Sequence, residues 1–192
     1  MKALILALAI SAPVLGDVTL SKSAPAPGDA CTAPTVVGHL GELDAVIYFK
    51  PGKVVVRQVE APCSGTLEIL RARIKGLSSS SAQYRFCLYA DRAGEPGALV
   101  YQGPQAWAIG SGLVAVSHAT PALELGVGTY YVGTLAQVAG SAAYSARNGA
   151  CSGCFHEYTA TWPDCPDPWP TGLSQPAGDR SLEASIQIGA SP

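Results

Sequence analysis

The sequence predicts an all-β fold, a jelly-roll-like antiparallel β-sandwich of about 8–10 strands stapled by disulfides. Segments rich in Val, Ile, Tyr and Thr recur along the chain and are separated by Gly, Pro, Ser and Asp. After the N-terminal apolar run, no helical period of apolar residues persists for more than a few turns. Six cysteines in 192 residues favour covalent stapling. A closed β-barrel is the alternative fold.

The N-terminus is typical of an exported protein. Residues 1–16, "MKALILALAISAPVLG", place Lys2 before a short apolar run and end in small residues, as a secretory signal peptide does. A hydrophobic first strand is the alternative interpretation. Residues 17–34 form a Pro/Ala/Ser-rich arm, whose far end we expect Cys31 to fasten to the body. Residues 35–190 then form one β-sandwich domain.

Strands are predicted from β-branched and aromatic runs between turn residues. In order, they cover 45–49, 53–60, 65–76, 83–91, 98–103, 106–109, 113–118, 129–138, 142–147 and 181–189.

Alternation indicates which strand faces are buried. In the last strand, Leu182, Ala184, Ile186 and Ile188 alternate with polar residues, as in a half-buried strand. Within 83–91, the apolar face holds Tyr84, Phe86, Leu88 and Ala90. The apolar phase of 65–76 shifts after Ile69, which predicts a β-bulge or two buried faces.

Two stretches carry a resemblance to a known class of module. "LYADRAGEPGALVYQG" and "ELGVGTYYVGTL" resemble a β-sandwich module of bacterial secreted and cell-surface proteins, over about residues 83–138. Physically, Asp91 is suited to cap a turn, and Pro96 fixes φ ahead of Gly97. The resemblance implies an accessory role in adhesion or glycan binding.

The stretch "CSGCFHEYTATWPDC" brings three cysteines and a histidine close together. An even number of cysteines in an exported chain favours disulfides, so we expect Cys31, Cys63, Cys87, Cys151, Cys154 and Cys165 all to be oxidised. We expect Cys165 to pair with Cys151 or Cys154, because a Pro-rich surface excursion at 148–176 needs fastening. The complete connectivity cannot be derived from the sequence.

Other chemistry of this stretch is weaker. Cys151, Cys154, His156 and Cys165 have the types and number of zinc ligands, so a structural zinc site is an alternative. A haem anchor needs a histidine directly after the second cysteine, and Phe155 stands there. A thioredoxin-like pair needs a following helix, and none is indicated.

The sequence favours no catalytic residue and no cofactor. The three histidines, His39, His118 and His156, are dispersed and have no recognisable partner pattern. The turn with Asp91 and Glu95 offers oxygen atoms to calcium but lacks the spacing of a calcium loop. Scattered carboxylates leave a hydrolase on a jelly-roll scaffold as an alternative.

Aromatic residues supply the one lead on binding. Candidates for a stacking surface are Trp107, Trp162, Trp169, Tyr130, Tyr131 and Tyr158. We place the ligand contacts at Trp162, Trp169 and Tyr158, since these lie in the Cys/Pro-rich excursion at 148–176, where burial is less compulsory. The alternative is that both tryptophans fold back and cover the open end of the sandwich.

These observations predict a secreted, non-catalytic binding or adhesion-type module, with a glycan or a surface protein as its partner. A structural subunit of an extracellular assembly, such as a surface layer, filament or particle coat, is the alternative, with self-association through the N-terminal arm. A net charge of −2 without a basic stripe argues against nucleic acid. No run of apolar residues after the first segment is long enough for a transmembrane helix.

Overall fold

The computed structural model describes residues 30–38, 45–48, 52–76, 82–108, 113–137, 142–146, 155–171, 175–176 and 184–190. These residues form strands and connecting turns, without a helix. The proposed signal peptide at 1–16 and most of the arm at 17–34 lie outside the described residues, as do His39, Cys151, Cys154 and Leu182.

The strands in chain order are β1 (Thr35–Gly38), β2 (Ala45–Tyr48), β3 (Lys53–Ala61), β4 (Gly65–Gly76), β5 (Ala82–Arg92), β6 (Glu95–Gln102), β7 (Ala106–Ala108), β8 (Leu113–Leu125), β9 (Gly128–Ala136), β10 (Ala142–Ala146), β11 (Phe155–Thr159), β12 (Gln175–Pro176) and β13 (Ala184–Ile188). All ten predicted strands are found. Three strands were not predicted: β1, β11 and β12.

The strands form two antiparallel sheets, which confirms the predicted sandwich. In the first sheet, β4 pairs with β8 along one edge and with β13 and β10 along the other, and these lead to β1 and β2. The second sheet runs β12-β11-β3-β9-β5-β6, with β7 also paired to β5. Among the described residues, no helix is long and apolar enough to cross a membrane.

The inner core lies between the two sheets. Leu67, Leu70 and Ala72 of β4 and the Ala184, Ile186, Ile188 face of β13 pack from one side. From the other side come Val55, Val59, Tyr84, Phe86, Leu88 and Val132. The alternation predicted for β13 and β5 is therefore confirmed at these positions.

The irregularity predicted after Ile69 is present as a bulge in β4, but it lies just before Ile69, at Glu68. Glu68 is skipped in the pairing of β4 with both β13 and β8. On β8 the register moves from Ala119 to Leu123 across the same point, and the Thr120 hydroxyl donates to the Leu67 carbonyl. Residues 120–122 of β8 are passed over in this pairing, and β8 continues beyond its predicted end at 118 to Leu125.

A disulfide between Cys31 and Cys63 closes one end of the inner core. The Cys31 N–H also donates to the Ser64 carbonyl at 2.7 Å. The predicted attachment of Cys31 to the body of the domain is confirmed.

Candidate functional site

The segment that follows β11, residues 160–171, crosses the outer face of the second sheet, and we name it the cover segment. It begins where the Ala160 N–H donates to the Gly52 carbonyl at 2.7 Å, beside β3. The Cys165–Cys87 disulfide then joins it to β5. Near its end, the Trp169 N–H donates to the Gly97 carbonyl of β6 at 2.9 Å. The cover segment thus spans from β11 to β6 without being a strand itself.

Two aspartates fasten the cover segment through their side chains. The Asp164 carboxylate accepts from Arg85 at 3.1 Å and from the Gln102 amide at 3.2 Å. The Gln102 carbonyl oxygen in turn accepts from the Cys165 N–H at 2.7 Å. Asp167 accepts from the Leu99 N–H at 3.1 Å, on the open edge of β6. The bonds from the Leu99 and Cys165 N–H groups satisfy backbone donors that no neighbouring strand pairs.

Beneath the cover segment lies a second cluster of buried side chains, which we name the outer core. Its members are Val54, Val56, Cys87, Tyr89, Tyr131, Leu135, Cys165 and Trp169, with Leu99, Tyr158, Ala160 and Trp162 packed against them. The indole of Trp169 meets Tyr89 edge-to-face, with ring centroids 5.2 Å apart. Most of the outer core therefore comes from the reverse faces of β3, β5 and β9.

The structure corrects the role predicted for Trp169. Its side chain is fully buried, with 0% of its surface exposed, so no ring face is open to a ligand. Its Nε1 has no hydrogen-bond partner among the described residues. The idea that the tryptophan folds back is right in kind, but it covers the outer face of a sheet and not the open end of the sandwich.

Tyr158 and Trp162, the other two predicted contact residues, are half-buried on the same surface. The Tyr158 ring lies 5.9 Å from the Trp169 ring, so the buried indole supports it from behind. Lys53 and Glu157 form an ion pair across β3 and β11 on the face opposite to Tyr158, since Glu157 and Tyr158 are successive residues of β11. The structure thus brings the three predicted residues together: Tyr158 and Trp162 are partly exposed at the surface, and Trp169 is buried beneath them.

Burial governs the ionisation of the outer-core phenols. Desolvation raises the pKa of Tyr89 above its ordinary value, and the negative charge of Asp167 raises it further. The pKa of Tyr131 is also raised, first by desolvation and then by its hydrogen bond to Asp91 at 3.1 Å. Both phenols are therefore neutral and fixed at physiological pH, which suits packing and not acid–base chemistry.

The cysteine pairing differs from the prediction. Cys165 pairs with Cys87, 78 residues away, and not with Cys151 or Cys154. Because its sulfur is in a disulfide, Cys165 is not a thiolate for zinc, and the proposed set of four ligands is wrong. His156 lies buried, with its ring edge-on to Tyr131 at 5.2 Å. Within the described ranges, no group of three or more His, Cys, Asp or Glu side chains could hold a metal ion.

The Asp91 turn forms as predicted. Ala93 and Gly94 both have positive φ, 54° and 85°, as in a two-residue hairpin between β5 and β6. Asp91 accepts from the Gly94 N–H at 3.1 Å and so caps the turn. The Asp91 carboxylate, which the sequence offers as a calcium ligand, is thus already bonded within the turn and to Tyr131.

The third tryptophan, Trp107 of β7, is exposed, in contrast to the buried Trp169. It is 53% exposed, one of the most exposed large apolar side chains of the described residues. The signal was present in the sequence, because Trp107 lies between two alanines on a short strand, and neighbouring Ala106 packs on the inner core. Strand alternation then directs the indole outwards.

Two further sites bring polar side chains together. His118 accepts or donates a 2.8 Å hydrogen bond with the Tyr101 hydroxyl and stacks on Phe86, and burial lowers the His118 pKa. A cavity of about 290 Å³ beside β1 is lined by Gly38, Arg57, Gln58, Val59 and Glu60. It has no aromatic lining and is at the small end for a ligand site. The aromatic surface over the outer core is the stronger candidate.

Comparison with protein-family models, with curated proteins and with solved structures gives no match to this chain.

Proposed function

We propose that the chain is a secreted, non-catalytic binding module that holds glycan on the surface formed by Tyr158 and Trp162. One observation carries the proposal: two half-buried aromatic side chains share one surface, Tyr158 on β11 and Trp162 on the cover segment, which a disulfide and side-chain hydrogen bonds fix in place. Aromatic faces pack well on the apolar C–H faces of sugar rings.

The way these rings are presented supports binding. Ordering a loop on binding costs free energy, so a surface already ordered in the free protein binds more tightly. Here the Asp164, Cys165 and Asp167 contacts fix the backbone between Trp162 and Trp169. Tyr158 is held separately, by the pairing of β11 with β3.

Charge supports a neutral ligand. On the face that carries the aromatic rings, Arg85 pairs with Asp164 at 3.1 Å, so these two charges neutralise each other. An anionic or cationic ligand would have to break this pair, whereas sugar hydroxyls can share its hydrogen bonds. The two disulfides are consistent with an oxidising extracellular environment, which supports export.

The test is binding to soluble starch, mixed-linkage β-glucan, xylan and galactomannan by affinity electrophoresis. We expect the wild type to be retarded by at least one of them, and Y158A/W162A to lose the retardation. Val36→Ala serves as the matched control, because Val36 is an exposed apolar residue on the first sheet. Melting temperatures of all variants show whether a loss of binding is a loss of folding.

Absence of binding to the panel by the wild type would refute the proposal. Loss of binding by the double variant together with a large fall in its melting temperature would show that both rings are structural. Incubation of the wild type with the same polysaccharides tests the hydrolase alternative, since a hydrolase would release new reducing ends from one of them.

One observation favours the structural-subunit alternative. β8 is a long edge strand that pairs with β4 on one side, and no described strand pairs with its other side. An open edge of this kind can accept a strand from another chain. Sizing across a concentration series distinguishes the two functions: a constant monomer excludes assembly through β8, and concentration-dependent oligomers that S117P prevents would support it.

A further inference from the structure

Trp107 lies on the same sheet face as the cover segment. Its neighbour Ala106 packs on the inner core, and successive side chains on a strand point to opposite faces. Its partner across β5 is Gln83, whose neighbour Tyr84 is also in the inner core. Trp107 and Gln83 therefore stand side by side on the outer face of the second sheet.

The row continues across the sheet to Gln137. The Gln137 N–H donates to the Gln83 carbonyl at 2.9 Å, which places it directly beyond the end of β9 and next to Gln83. Ala136 before it packs on the inner core, so Gln137 also faces outwards. Gln83 and Gln137 are both partly exposed. An exposed indole is thus followed by two amide side chains in one line.

The same row meets the start of the cover segment. The β3–β9 register pairs Val54 with Leu135, and continuing it by two residues places Gly52 level with Gln137. Gly52 accepts from the Ala160 N–H, the first residue of the cover segment. Because Gly52 has no side chain, it places no side-chain atoms between Gln137 and the cover segment. Trp162 follows Ala160 by two residues.

The line therefore runs over four inter-strand steps, from β7 through β5, β9 and β3 to β11, or about 19 Å. Arg85, one position along the same face of β5 from Gln83, is neutralised by Asp164 at 3.1 Å. Among these residues no charge is left without a counter-charge. Amides donate and accept hydrogen bonds at once, as sugar hydroxyls do, and the aromatic rings at the two ends offer stacking faces.

We infer that Trp107, Gln83 and Gln137 continue the Tyr158–Trp162 surface into one strip that binds the interior of a neutral polysaccharide chain, and not a single terminal sugar. This inference rests on the proposed function, since it extends the same binding surface. It assigns stacking to Trp107 and Trp162 at the two ends of the strip and hydrogen bonding to the two glutamines between them.

The test uses an oligosaccharide ladder of increasing length, cut from whichever polysaccharide of the panel the wild type binds, with calorimetric titration. In the wild type, affinity should rise with chain length until the strip is filled. Trp107→Ala should remove the gain from longer oligosaccharides, about tenfold, and leave the shortest ligands unaffected. Q83A and Q137A should each cost about threefold on the long ligands. Val127→Ala, at another exposed apolar residue, is the control.

The outcomes separate the two claims. If W107A binds long ligands as the wild type does while Y158A/W162A does not bind, the strip is wrong and the proposed function stands. If W107A weakens short and long ligands equally, Trp107 does not form a distal subsite, and the strip is wrong again. If the wild type binds no member of the panel, both the proposed function and the strip are refuted. Since Trp107 is exposed, W107A should keep its melting temperature.

Discussion

The inner and outer cores bury opposite faces of the same three strands, yet they are held together differently. In β3, Val55 points into the inner core and its neighbours Val54 and Val56 into the outer core. The inner core is closed by the first sheet, and its members are mainly aliphatic. The outer core is closed by the cover segment, which has no strand pairing, and its largest members are Trp169, Tyr89 and Tyr131.

This difference shows what an irregular segment needs in order to serve as a layer of a sandwich. A sheet satisfies its own backbone, so its side chains have only to pack. The cover segment needs the Cys87–Cys165 disulfide, Asp164 and Asp167 to replace the missing ladder. Its large rings then bury much area from few residues. Stability of the outer core should therefore depend on single contacts, and that of the inner core on many.

The largest effect should come from the disulfides. Replacing both Cys87 and Cys165 by Ser should lower the free energy of unfolding by about 4.5 kcal/mol in the chain-entropy model, since the bridged residues are separated by 78 positions. For Cys31 and Cys63, separated by 32, the same model gives about 3.7 kcal/mol. Denaturant unfolding measures both.

The two disulfides are expected to make similar contributions to the free energy of unfolding, but hydrogen exchange under native conditions distinguishes where each one acts. The C87S/C165S variant should lose protection at the Trp169 N–H, which is bonded to Gly97, before the β4 strand opens. In C31S/C63S that N–H should keep its protection. Equal behaviour of the two variants would show that the outer core has no separate dependence on its disulfide.

Trp169→Ala tests the outer core by packing and should cost about 3–5 kcal/mol, because it removes its largest fully buried side chain. Leu70→Ala is the matched truncation in the inner core, at about 2–5 kcal/mol. Unfolding curves and hydrogen exchange should show local opening of the cover segment for the first variant and global destabilisation for the second.

Trp169→Phe sharpens this result. The Trp169 Nε1 is buried without a partner among the described residues, so removing it removes an unpaired donor along with part of the ring. The Phe variant should therefore keep most of the stability lost in Trp169→Ala. A loss as large as that of the Ala variant would contradict an unpaired indole nitrogen.

Most of the fold could be predicted from the sequence because the inner core follows strand alternation. The order of apolar residues in the sequence indicates both the buried face of β13, which holds Ala184, Ile186 and Ile188, and the bulge at Glu68. β1 and β11 were missed since each is short and lies beside Pro- or Cys-rich sequence. Local composition there indicates loops, and pairing with a neighbouring strand overrides it.

The site was predicted in part, for the same reason. The excursion and its aromatic residues were found from composition, but the direction of each ring depends on which sheet face the segment covers. Cys87 lies on the outer face of β5, where only the path of the cover segment brings Cys165 to it. A local cysteine partner was therefore expected for Cys165 and a ligand contact for Trp169, whereas Trp107 was a candidate for a stacking surface but not one of the expected ligand contacts.

A smaller effect is expected at the side-chain anchors. Asp167→Ala should cost about 1 kcal/mol, because it leaves the Leu99 N–H without its acceptor. Asp167→Asn retains a side-chain carbonyl that can accept the same bond, so it should be nearly neutral. Thermal unfolding of the pair measures the difference. Equal losses in both variants would mean that the charge of Asp167, and not the hydrogen bond, holds the end of the cover segment.

The smallest effect should be a pH dependence at the edge of the inner core, where His118 stacks on Phe86 and bonds Tyr101. Desolvation lowers the pKa of His118 below its ordinary value of 6.5. Between the two values the unfolded chain binds more protons than the folded one, so stability rises with pH. The stability that the neutral His118 ring contributes should therefore be lost as pH falls from the ordinary pKa of 6.5 towards the lowered pKa of the folded protein. His118→Gln keeps a polar partner for Tyr101 but does not titrate. Its advantage over the wild type should grow as the solution is acidified through that window, and parallel stability curves for the two proteins would show that His118 remains charged or uncharged equally in both states.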